Sequence, residues 1–225
     1  MKTNYWLHIG LALLAGCTSS GPTPKESDYR FFPLETGRFV EYEVQETSYA
    51  LSKPLVQITY FLKEVCGSEL KGPTGQYQIN RFRRNTVDQN WSLDSVWTAY
   101  LLPDSAVKIE NNRPILKMIF PLFDGLTWNA NQYNTLPPEN SEARLSNLPF
   151  SINSLTFSSN LEIVQQKDSS LVSLVNFTER YAPNVGLIYK ESTSLQYCQN
   201  ADCLGKGIVE FGHQKILKIN AYGKE

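Results

Sequence analysis

From Arg38 onward the chain alternates between apolar and polar residues. Val40, Tyr42 and Val44 are apolar, and Glu41, Glu43 and Gln45 between them are polar, which is the period of a half-buried strand and not of a helix. The same period returns in Val56, Ile58, Tyr60 and Leu62, in Tyr77 to Asn85 and in Trp91 to Tyr100, then in shorter runs at Val107–Ile109 and Ile115–Phe120. Breakers such as Ser52-Lys53-Pro54, Gly72-Pro73, Pro103-Asp104 and Asn111-Asn112-Arg113-Pro114 part these runs at the roughly ten-residue spacing of hairpins. The last third adds runs at Leu155–Gln165, Ser170–Tyr181, Val185–Ser194 and Ile208–Tyr222. The pattern predicts a mainly β, antiparallel protein: either a curved sheet closing toward a half-barrel or a two-sheet sandwich. It leaves room for at most one short helix, expected at Ser141–Leu148, where Ser141 can cap and Glu142, Ala143, Arg144 and Leu145 accept helix.

One six-residue pattern occurs twice. Phe32-Pro33-Leu34-Glu35-Thr36-Gly37 is echoed by Phe120-Pro121-Leu122-Phe123-Asp124-Gly125, as a turn into a strand would be, and suggests two related halves, 31–119 and 120–225, within one β-rich domain over 31–225. Between Asn129 and Asn153 the chain is rich in Asn, Ser and Pro; a long polar segment of this kind is the expected partner-binding loop.

The N-terminus reads differently from the rest. One positive charge at Lys2 precedes an apolar core from Tyr5 to Ala15, too short for the ~20 apolar residues of a membrane-spanning helix. It ends in Leu14-Ala15-Gly16-Cys17, which resembles the lipobox of bacterial lipoproteins. The resemblance implies removal of residues 1–16 as a signal peptide and acylation of Cys17, by palmitate or a similar chain, with the membrane as partner through that anchor. Removing sixteen residues from 225 leaves 209, with 17–30 as a flexible tether poor in apolar residues. Thr18, in place of an aspartate after the lipid cysteine, points by the sorting pattern of such proteins to the outer membrane, facing the periplasm. Near the C-terminus, Tyr181-Ala182-Pro183-Asn184-Val185-Gly186-Leu187-Ile188-Tyr189-Lys190-Glu191 resembles a segment of uncharacterised Bacteroidetes lipoproteins, and implies a shared fold without an activity. Asp94-Ser95-Val96 and Asp104-Ser105-Ala106 resemble the short O-glycosylation sequon of the Bacteroides group.

Beyond Cys17 the cysteines are Cys66, Cys198 and Cys203. Cys198 and Cys203 bracket four polar, turn-forming residues and are expected to form a local disulfide in an oxidising compartment, leaving Cys66 as a buried thiol. Zinc is the alternative for these sulfurs, but paired Cys-x-x-Cys units are missing, so no metal or cofactor is expected.

Catalytic signals are sparse. His213 is the single imidazole after processing, and nucleophile-elbow, phosphate-loop, dinucleotide and zinc-protease motifs are absent, so the chain is expected not to be an enzyme. Arg81, Arg83 and Arg84 lie close enough in sequence to clamp an anion, or else to cover a sheet face and pair with glutamates. A net charge of −1 without a basic block speaks against nucleic acid as a partner. Three classes remain: an envelope protein binding another protein or a glycan, a lipid or lipoprotein carrier with an apolar concavity, and a glycan hydrolase using paired carboxylates.

Overall fold

The computed structural model describes residues 25–51, 53–71 and 75–225. The expected signal peptide, Cys17, the expected tether through residue 24 and the expected Gly72-Pro73 turn lie outside the described residues. Within the stretch read as a tether, 17–30, the described residues Glu26–Tyr29 form a single helical turn, α1. Buried Asp28 accepts a hydrogen bond from the Leu122 amide (3.1 Å), and the Tyr29 hydroxyl donates to the Pro103 carbonyl (2.7 Å). Phe31 and Phe32, buried directly after it, draw this turn onto the domain.

The rest is nearly all strand: β1 (Arg38–Tyr49), β2 (Val56–Glu69), β3 (Tyr77–Arg84), β4 (Ser92–Leu102), β5 (Ser105–Glu110), β6 (Arg113–Ile119), β7 (Thr127–Asn129), β8 (Asn140–Ser146), β9 (Phe150–Ile152), β10 (Leu155–Phe157), β11 (Asn160–Ser169), β12 (Ser173–Ala182), β13 (Gly186–Tyr197) and β14 (Val209–Lys224). Twelve of them make one antiparallel sheet in the order β6-β5-β4-β3-β2-β1-β14-β13-β12-β11-β8-β7. The sheet curls until its two edges meet. The Leu116 amide on β6 donates to the Ala130 carbonyl just past β7, and the Trp128 indole donates to the Leu116 carbonyl, each at 2.9 Å. The product is a sheet nearly closed into a barrel, which leaves little edge to pair with other chains. The small β9–β10 hairpin lies against β13 and β14, with Phe150 6.4 Å from Tyr189 and Phe157 6.0 Å from Tyr222.

Most alternating runs become strands, with one correction. The segment expected to be helical, Ser141–Leu148, is strand β8. Ser141 and Ala143 alternate with Glu142 and Arg144, so pairing with β11 on one side and β7 on the other buries Ala143 fully. Two ladders outweigh a helix propensity of a few tenths of a kcal/mol per residue. The run read as Leu155–Gln165 divides between β10 and β11.

Both copies of the Phe-Pro-Leu-x-x-Gly pattern bury their phenylalanine and end in a left-handed glycine, Gly37 (φ 85°) and Gly125 (φ 80°). Each glycine starts a run of six neighbouring strands: β1 to β6 after Gly37, and β7, β8 and β11 to β14 after Gly125.

Candidate functional site

A cavity of about 370 Å³ lies inside the barrel, lined from β1 to β6 and from β12 to β14. Part of its wall is apolar: Phe32 and Leu34 from the segment before β1, then Val40, Leu62, Ile79 and Leu187. The rest is charged. Along β2, Leu62, Glu64 and Cys66 share the inward face, so one carboxylate falls in register with apolar neighbours. Beside it β3 places Arg81 opposite Glu64, and β5 contributes Lys108.

These three residues form one ionic group. Glu64 accepts from Arg81 Nε at 3.0 Å and from Lys108 Nζ at 2.7 Å, and Trp97 stacks beneath the Arg81 guanidinium at 3.7 Å with the Lys108 ammonium 5.0 Å from its ring. A second group centres on Lys117, the extra residue where β6 bulges against β5. Lys117 Nζ lies 2.7 Å from Glu179 and 3.5 Å from Glu110, while Lys190 reaches Glu179 at 2.8 Å and the Tyr181 hydroxyl donates to Glu179 at 2.5 Å. Glu179 is 1% exposed and Lys117 6%.

Burial alone would raise all three carboxyls, and their cationic neighbours reverse it. Lys117, Lys190 and Lys108 hold Glu110 down to about 2. Lys117 and Lys190 hold Glu179 far below the usual carboxylate range, and Lys108 and Arg81 lower Glu64. Burial disfavours the Lys117 ammonium, but Glu179 and Glu110 raise it above its ordinary value. Burial also pushes Tyr42 and Tyr181 well above an ordinary phenol. The arrangement is a set of fixed charges. A glycoside-cleaving acid needs a carboxyl kept protonated near neutrality, and Glu64, Glu110 and Glu179 are all pulled the other way.

The residues singled out from the sequence are dispersed. Arg81 is in the cavity wall; Arg83 stacks on Tyr60 at 3.9 Å; Arg84 stacks on Trp91 at 4.2 Å and approaches Glu41 at 3.9 Å, so the three form no shared clamp. Glu41 also meets Lys63 at 3.6 Å, a half-buried pair outside the cavity wall. His213 is exposed near the start of β14, flanked by β1 and β13, and so is not at a sheet edge. Cys198 and Cys203 form a disulfide with Cα atoms 5.8 Å apart, and the free thiol Cys66 is buried against the cavity. Ser105, in one glycosylation-like sequon, is 2% exposed and donates to Asp104, while Ser95 in the other accepts from Arg81.

The polar segment after Asn129 uses its amides internally. Asn129 Oδ1 accepts from the Asn131 and Glu139 amides, Asn131 donates to the Pro137 carbonyl, and Asn134 donates to Pro114 on β6. Those bonds hold the loop across the barrel seam.

Sequence reasoning did not identify Glu64, Lys108, Glu110, Lys117, Glu179 or Lys190 as a group. The available signal was a charge on the apolar parity of a strand, as in Tyr60-x-Leu62-x-Glu64-x-Cys66 and Ile188-x-Lys190.

No family model matches the chain, and no curated protein does. Among solved structures it is similar to a Bacteroides fragilis protein described as exported and as having a YmcC-like fold, at 12% identity over 85% of this chain and 99% of that one, with a TM-score of 0.40. A likeness that distant assigns neither a family nor an activity.

Proposed function

We propose that the chain is a non-enzymatic envelope protein, held at the periplasmic face of the outer membrane through an acylated Cys17, whose barrel receives a small guest molecule. The observation that carries this reading is the cavity of about 370 Å³, which joins an apolar wall to a layer of ion-paired side chains. Its volume is at the small end of ligand pockets, where a few placed polar groups orient a mostly apolar guest. The several acyl chains of a whole lipoprotein need more room, so the reading favours a small-molecule binder over a lipoprotein carrier. Carboxylates held ionised by lysine and arginine suit binding and not proton donation.

Native mass spectrometry of protein released from its own envelope tests this. The expected result is one non-covalent mass per chain, lost when Ala99, 1% exposed in the cavity wall, is enlarged by Ala99→Phe while the folded circular dichroism spectrum is kept. Recovery of folded wild-type protein with no bound mass, and no uptake from a panel of single-chain amphiphiles, would overturn the reading. Intact-mass measurement of the same material tests the anchor, since residues 1–16 should be gone and Cys17 acylated.

A further inference from the structure

We infer that the guest of the barrel is an anionic amphiphile, with one carboxylate or phosphate head and a short apolar body. The inference rests on the binding reading above and specifies the chemistry of that same cavity.

Charge in the cavity wall does not balance. Arg81, Lys108, Lys117 and Lys190 face Glu64, Glu110 and Glu179, so four cations meet three carboxylates. The other charged residues of the wall are paired at its more exposed rim, Arg38 with Glu35, which also pairs with Lys224, and Lys215 with Glu46 at 2.6 Å. Asp94 approaches Arg81 at 3.6 Å, but Asp94 is exposed, where water screens it. Arg83, stacked on Tyr60, adds another cation beside the Glu46–Lys215 pair. In an interior where charges are weakly screened, one negative head restores the balance, whereas a cationic head worsens it.

Two cations are free to meet that head. Lys108 shares Glu64 with Arg81, and Lys190 shares Glu179 with Lys117. Either ammonium has three N–H donors and can turn one to a guest without leaving a carboxylate unpartnered. An inorganic ion would satisfy this layer and leave the partly exposed Leu34, Val40 and Leu187 facing water, so an apolar body accompanies the head.

Calorimetric titration of the full mature chain in nanodiscs, with empty nanodiscs as the blank, separates the possibilities. The probes are decanoate, decyl phosphate, decanol, decyltrimethylammonium and inorganic phosphate. Decanoate and decyl phosphate should bind at least about tenfold tighter than decanol or the cation, the scale of one weakly screened charge. Lys190→Gln should reduce that preference about tenfold, and Glu110→Gln, which adds to the positive excess, should increase it. Equal affinity for all four ten-carbon probes would overturn the inference while leaving the binding reading intact. Binding of inorganic phosphate as tight as that of decyl phosphate would overturn the amphiphile in favour of a small-anion site. Binding by none of the ten-carbon probes would overturn both.

Discussion

Glu179 bears the heaviest electrostatic load in the molecule. At 1% exposure it faces Lys117, Lys190 and the Tyr181 hydroxyl, so its oxygens are satisfied from three directions. Buried pairs gain little over an apolar replacement of both partners, but losing one partner strands the other charge. Glu179→Gln should therefore cost about 3–5 kcal/mol, measured as a lower urea midpoint at unchanged m-value. Glu110 gives the layer an acid limit. Its folded carboxyl titrates at about 2 against an ordinary 4.5, so the folded state binds that proton more weakly than the unfolded chain. The stability it contributes is fully present above pH 4.5 and is lost as pH falls toward 2, about 3 kcal/mol in all. Stability measured against pH should be level from 7 to about 5 as far as this group is concerned and decline below, less steeply in Glu110→Gln.

Strand β14 shows what an element requires of one residue. Gly212 has φ 127°, and a Cβ there would lie 2.1 Å from the Ser194 carbonyl oxygen on β13. Gly125 also has positive φ, yet a Cβ there meets nothing within 4 Å. Gly125→Ala should cost about 1–2 kcal/mol of backbone strain alone. Gly212→Ala must also separate β13 from β14 and should cost clearly more, with thermal melts of the two variants as the measurement. The run read over Ile208–Tyr222 passes through Gly212 as one strand, but the need for glycine there is not visible in it, because the contact that requires it comes from a neighbour remote in sequence. Strands β1 to β6 were legible because their apolar residues fall on one parity between clear turn residues. β8 was not, since Ser141, Glu142, Ala143 and Arg144 suit a helix locally and become a strand only between β7 and β11. The ionic layer was half legible. Glu64 and Lys190 interrupt apolar faces visibly, but Lys117 is turned inward by a bulge that alternation alone does not place.

At the scale of the whole molecule, closure of the barrel decides whether there is an interior at all. Twelve strands are paired continuously except between β6 and β7, where the Leu116 amide bond to Ala130 and the Trp128 indole bond to Leu116 hold the seam. Trp128 is 7% exposed within the buried cluster that includes Leu116 and Met118, so its ring would stay buried if the N–H were removed. Trp128→Phe therefore deletes one bond and leaves the Leu116 carbonyl short of a donor, at a cost of about 1–3 kcal/mol. Local opening follows the weakest contacts, and on that logic the seam opens before the long β1–β14 ladder at the opposite side of the sheet. Amide exchange in Trp128→Phe should rise at least tenfold at Leu116 while amides of Val44 and Leu217 keep their protection. If Leu116 instead exchanges in step with Val44 and Leu217, the seam is no weaker than the β1–β14 ladder and the barrel opens only by global unfolding.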